Sequence, residues 1–137
     1  NIGVAIDRGN GLYVPVVKGA DGKTILGIAK EIEEFASKVE SKTLSQMDMS
    51  GGVFTITNVG SIGGRYATPI IKPGECAILA IGGINDAPLV INREIKIRKM
   101  LPLSLSFDHR VVDGALAAKF VNEIKEQLED PDRLLLE

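Results

Sequence analysis

The stretch that decides the fold is Leu101-Pro102-Leu103-Ser104-Leu105-Ser106-Phe107-Asp108-His109-Arg110-Val111-Val112-Asp113-Gly114. Leu101, Leu103, Leu105 and Phe107 alternate with Pro102, Ser104 and Ser106, the period-2 signature of a strand with one apolar face. A helical period takes over after Asp113-Gly114. Leu116, Ala117, Phe120, Val121, Ile124 and Leu128 form one stripe, and Asp130-Pro131 ends it. His109, the single histidine of the chain, therefore falls where a strand stops and a helix is about to begin. Rigid elements on both sides can hold its ring, and imidazole exchanges protons near neutral pH. His109 is the first candidate for a catalytic base. Asp113 reads either as the N-cap of the helix or as a cap that also orders the site.

Working outward, Cys76 to Ile84 is an unbroken apolar run, expected to be a central strand buried on both faces. Val53 to Asn58 is a shorter strand. Ala67 to Ile71 is expected to be another, stopped by Lys72-Pro73-Gly74. Ile95 and Ile97 alternate with Lys96 and Arg98 in a half-exposed strand after a turn at Asn92-Arg93. Near the start, Ile2, Val4 and Ile6, then Leu12, Val14 and Val16, alternate around Asn10-Gly11, a strong hairpin signal. Pro15 cannot donate to a ladder and marks an edge or bulge. Thr24 is placed to cap a helix from Ile25 to about Lys42. Its stripe is Ile25, Ile28, Ala29, Ile32, Phe35, Ala36 and Val39. Ser45 to Met49 reads as a further short turn. Two helices and about seven interleaved strands predict an α/β fold, a mixed sheet covered by helices.

The chain has 137 residues, 45% apolar and 25% charged, with a net charge of −2. That is enough for one domain with a core, and it gives no reason to expect nucleic acid or an anionic membrane as partner. No apolar run is long enough to span a bilayer. One cysteine excludes an internal disulfide and favours a reducing compartment. Cys76 reads as a buried structural thiol. There is no signal-peptide pattern, no internal repeat and no metal-ligand spacing. The loop Val59-Gly60-Ser61-Ile62-Gly63-Gly64 is rich in glycine but lacks the order and the lysine of a phosphate-binding loop. Its small residues would still let backbone approach a ligand closely. Leu134, Leu135 and Leu136 form an apolar tail suited to a contact between subunits.

Two stretches carry a resemblance. The string SLSFDHRVVDGA, with His109, Asp113 and Gly114 in the order His-x-x-x-Asp-Gly, resembles the signature of the chloramphenicol acetyltransferase-like acyltransferases. Within these it is similar to the dihydrolipoamide acyltransferases of the 2-oxo acid dehydrogenase complexes. The run Gly51-Gly52-Val53-Phe54-Thr55-Ile56-Thr57-Asn58-Val59-Gly60 resembles the GGTFTISNLG stretch of the same family. NIGVAIDRGNGLYVPVV and GSIGGRYATPIIKPGECAILAIGG do so as well, so the resemblance covers essentially the whole chain.

The resemblance implies a chloramphenicol acetyltransferase-like fold and transfer of an acyl group, acetyl or branched-chain, between dihydrolipoamide and CoA. His109 would be the general base, its ring held by a bond to its own backbone carbonyl. Thr57, where the family often has serine, would donate a hydrogen bond to the oxyanion. Asn58, Gly60, Ser61 and Gly114 would bind CoA along the substrate channel. CoA enters as a substrate, and the lipoyl group is carried on an upstream or separate domain.

The family assembles trimers that build a larger core and work with decarboxylase and dihydrolipoamide dehydrogenase components. It does so in the prokaryotic cytoplasm or the mitochondrial matrix. It would place His109 and Thr57 of one site on neighbouring subunits. Because the chain begins inside a strand pattern, 1–137 is expected to be a partial, N-terminally truncated acyltransferase catalytic domain. Lipoyl domains, a subunit-binding domain and part of the CoA channel, with an arginine near the motif aspartate, would lie upstream. The alternative is a structural core fragment that assembles without turnover.

Overall fold

The computed structural model describes residues 1–9 and 11–132. Asn10 of the expected hairpin turn and the tail Leu134–Leu136 lie outside the described residues. The chain runs β1 (Ile2–Val4), β2 (Ile6–Asp7), β3 (Leu12–Tyr13), β4 (Val16–Val17) and α1 (Ile25–Glu40). It continues through β5 (Phe54–Asn58), β6 (Ala77–Ile81), β7 (Asn85–Ile91), β8 (Glu94–Met100), β9 (Leu103–Phe107) and α2 (Gly114–Glu129).

Five strands make one mixed sheet in the order β4-β1-β5-β6-β9. β1, β5 and β6 are mutually parallel, while β4 and β9 run antiparallel at the two ends. These are the five segments that the alternation and the apolar run single out, and the mixed α/β sheet expected from sequence is present.

The register divides the sheet into two chemically different faces. Ile2, Val4, Phe54, Ile56, Ala77, Leu79, Leu105 and Phe107 share one face across the ladders. α2 packs there, with the Phe120 ring edge-on to Phe54 at 5.6 Å. The opposite face carries Gly3, Thr55, Thr57, Ile78, Ala80, Ser104 and Ser106. The alternation of leucine and serine in β9 is thus a division between a packed face and a hydroxyl-bearing one. α1 packs against β4 through buried Phe35 and Val39.

Several expectations need correction. The expected strand at Ala67–Ile71 does not form. β5 already has a neighbour on each side, and Pro69 lacks a donor, so this segment stays unpaired in the crossover between two parallel strands. The run Cys76–Ile84 is strand only over Ala77–Ile81, and Cys76 is half-buried rather than buried. Gly82 ends the strand by packing against the carbonyl of Arg65, where a Cβ would lie 2.0 Å from the oxygen. α1 stops at Glu40 because Lys42 turns to φ 56°.

The first strand pair breaks at Ala5 and Val14-Pro15, where Val4 donates to the Pro15 carbonyl. The helical stripes are less covered than their pattern implies, with Ile25, Leu116 and Leu128 more than half exposed. One strand, β7, was not foreseen from the sequence. β7 pairs with β8 in a two-stranded arm, closed by left-handed Asn92 and Arg93.

Candidate active site

His109 occupies the turn between β9 and α2, and the backbone of that turn is closely tied down. Asp108 donates its amide to the Cys76 carbonyl at 2.8 Å, extending the β6–β9 ladder by one step. The Asp108 carbonyl accepts from Val111 at 2.9 Å and Val112 at 3.0 Å, which closes the turn around His109. The Asp108 carboxylate accepts from the Arg110 amide at 3.0 Å, from Nε at 2.9 Å and from Nη2 at 2.6 Å. These bonds, the guanidinium first, hold the carboxyl down at about 2 and raise the Arg110 pKa.

The His109 side chain is exposed and lies beside the Phe107 ring, centroids 5.6 Å apart. Among the described residues no hydrogen bond to the ring is formed. The expected bond to its own carbonyl is therefore absent, the exposed ring lying against Phe107 instead.

Asp113 caps α2. Its backbone is extended, and its Oδ1 accepts from the Leu116 amide at 2.7 Å. The capping half of its expected role is filled. Gly114 follows as the first helical residue, with open space where a Cβ would be.

Thr57 lies near the C-terminal end of β5, half-buried, on the hydroxyl-bearing face. It is level with Ala80 and, one strand further, with Ser104. Two residues earlier on the same face, Thr55 is 1% exposed and donates to Glu75 Oε2 at 2.7 Å. Glu75 Oε1 is buried without a hydrogen-bond partner among the described residues, and the Lys72 ammonium pairs with it at 3.9 Å.

The expected channel residues are largely engaged with each other. Asn58 Oδ1 accepts from the amides of Gly60 at 2.9 Å and Ser61 at 3.3 Å, and Ser61 Oγ donates back to the Asn58 carbonyl at 3.2 Å. Gly60 is small for a packing reason, since a Cβ there would sit 2.5 Å from the Gly83 amide nitrogen. The close approach read from the glycine-rich loop is to the Gly82-Gly83 backbone.

The register keeps the two principal candidates apart. β5 and β6 are parallel and β9 antiparallel, so Thr57 is level with Ala80 while Asp108 is level with Cys76. At about 3.3 Å per residue and about 4.8 Å per strand, Thr57 and His109 of one chain are close to 20 Å apart at the backbone. No side-chain rotation closes that gap. Sequence reasoning missed the Asp108–Arg110 pair and the buried Thr55–Glu75 pair. The first had a visible signal, an acid and a base flanking the histidine.

His109 thus stands at a strand-to-helix junction of a mixed α/β sheet. The family model described as 2-oxoacid dehydrogenases acyltransferase (catalytic domain) matches residues 1–136, and the chain belongs to that family.

Among its relatives is the dihydrolipoyllysine-residue acetyltransferase component of the pyruvate dehydrogenase complex of Mycoplasma capricolum. It is 44% identical over 136 residues, 99% of this chain and 31% of that protein. The solved dihydrolipoamide acetyltransferase of Azotobacter vinelandii superposes with a TM-score of 0.94 at 43% identity, over 98% of this chain and 55% of that one. The cubic core of a pyruvate dehydrogenase multienzyme complex gives 0.94 at 42% identity, with the same coverage. The chain thus spans about a third of the length of the curated relatives it matches and just over half of the solved chains.

Proposed function

We propose that the protein transfers an acetyl group between dihydrolipoamide and CoA, with His109 as general base and Thr57 as oxyanion donor. The observation that carries this reading is a match of spacing. The Azotobacter vinelandii structure concerns the catalytic roles of a serine, a histidine 52 residues later and an asparagine four residues after that. Thr57, His109 and Asp113 have the same two intervals. Threonine keeps the hydroxyl of serine. Aspartate and asparagine are both strong N-caps, so either can hold the start of α2.

In this reading His109 takes the proton of the attacking thiol as its sulfur adds to the thioester carbonyl. The oxyanion forms against the Thr57 hydroxyl. Collapse breaks the old carbon–sulfur bond, and the leaving thiolate recovers the proton from the imidazolium. The gap between the two residues within one chain supports a site made by two subunits, with His109 of one facing Thr57 of the next. Exposed Ile62, Tyr66, Ile70, Val90, Ile95 and Ile97 supply apolar surface for such an assembly. A trimer, built into a larger core that serves decarboxylase and dihydrolipoamide dehydrogenase components, follows from the same reading.

An isolated monomer holds one half of each of two sites. That favours, for the chain alone, a core element without turnover. The test is thioester exchange between CoA and dihydrolipoamide by the full-length protein. His109→Ala should lower turnover about 10²–10⁴-fold while assembly is kept. Near-normal turnover in that variant would exclude His109 as the base.

A further inference from the structure

We infer that Asp108 and Arg110 form a positioning clamp that fixes the direction of His109, an inference that rests on His109 being the base. The two residues flank His109 in sequence and close around its backbone. Asp108 uses its amide on Cys76, its carbonyl on Val111 and Val112, and its carboxylate on Arg110. The Arg110 side chain closes a fork, with Nε 2.9 and 3.1 Å from the two carboxylate oxygens and Nη2 2.6 Å from Oδ2. The imidazole itself is exposed and has no hydrogen bond among the described residues. The direction of its Cα–Cβ bond is therefore set by the backbone, and the backbone by Asp108, while the Phe107 ring stands 5.6 Å from the imidazole.

An ion pair whose arginine is 88% exposed contributes little to stability. Its effect belongs in the rate. Displacing a reacting group by about 1 Å can cost 10²-fold in turnover. A bidentate fork fixes two planes relative to each other, which a lysine at the same place cannot do. The Asp108 carboxyl, held at about 2 by the Arg110 guanidinium, keeps the clamp charged at neutral pH.

The experiment uses the assembled full-length protein and measures acetyl transfer between CoA and dihydrolipoamide in Asp108→Asn, Arg110→Gln, Arg110→Lys and the double variant D108N/R110Q. Turnover should fall about 10²-fold in each single variant. KM for both thiols, particle size and melting temperature should stay near those of the parent. The double variant should lose no more than the worse single one, because both changes open the same clamp.

Normal turnover in D108N or R110K overturns the clamp. So does a loss that tracks disassembly or melting, or effects that multiply in the double variant. A raised KM for CoA in R110Q with unchanged turnover would make the arginine a substrate-binding group and also overturns it. His109→Ala, measured alongside, separates the two levels. If it is inactive while D108N is normal, only the clamp fails. If it is active, the base assignment fails first.

Discussion

Mixing two inactive variants tests the shared site directly. The perturbation is co-assembly of His109→Ala and Thr57→Val subunits in the full-length protein. Each variant alone would lack one partner at every site; loss of the base costs about 10²–10⁴ in turnover and loss of the oxyanion donor about 10²–10³. Because the register puts the two residues close to 20 Å apart in one chain, restoration has to come from between chains. In the proposed cyclic trimer each interface would join His109 of one subunit to Thr57 of the next. In an equal mixture, about one quarter of interfaces then pair an intact His109 with an intact Thr57. Activity should rise from near zero to about a quarter of the parent value. It should follow the product of the two fractions and peak at equal mixing. The assay is thioester exchange after dissociation and reassembly across a series of ratios, with particle size measured in parallel. Activity that stays at the level of the separate variants, in mixtures shown to contain both subunits, would refute the interfacial site.

Thr55→Val removes the donor to Glu75 Oε2, leaving both oxygens of a buried carboxylate without a hydrogen bond among the described residues and the Lys72 ammonium 3.9 Å from Oε1. The cost should be about 1–3 kcal/mol in chemical denaturation, whereas Thr57→Val should change turnover far more than stability. Gly60→Ala drives a Cβ into the Gly83 backbone and should cost about 1–3 kcal/mol or more, and a stability equal to the parent would refute that packing.

Asp48 is held at about 2 by the amide and hydroxyl of Ser45 and by Lys38. Its folded value lies below its unfolded one, so its contribution is full above about pH 4 and is lost as pH falls towards 2. Carboxyl NMR should show an Asp48 midpoint near 2, and a midpoint near 4 would refute the Ser45–Asp48 turn.

Much of this protein is legible locally. Thr24 and Asp113 cap the two helices as their residue types imply, each side chain accepting an amide three residues on. The alternation in Leu103–Phe107 announces a two-faced strand, and the fold keeps it. Asn92-Arg93 turns with both residues left-handed. These features need only neighbours in sequence, which is why periodicity and turn chemistry find them. The histidine at the strand-to-helix junction is equally local. The sequence by itself thus determined the two helices, their caps and the chemistry offered at the turn.

The tertiary structure decided what those elements meet. Whether Ala67–Ile71 becomes a strand depended on a free sheet edge, and β5 has none to offer. Whether Gly60 serves a ligand or a packing contact depended on Gly83, more than twenty residues away. Above all, the distance between Thr57 and His109 follows from the directions of β5, β6 and β9 and from their register. Direction and register are set by pairing between residues remote in sequence, a property that no local pattern encodes.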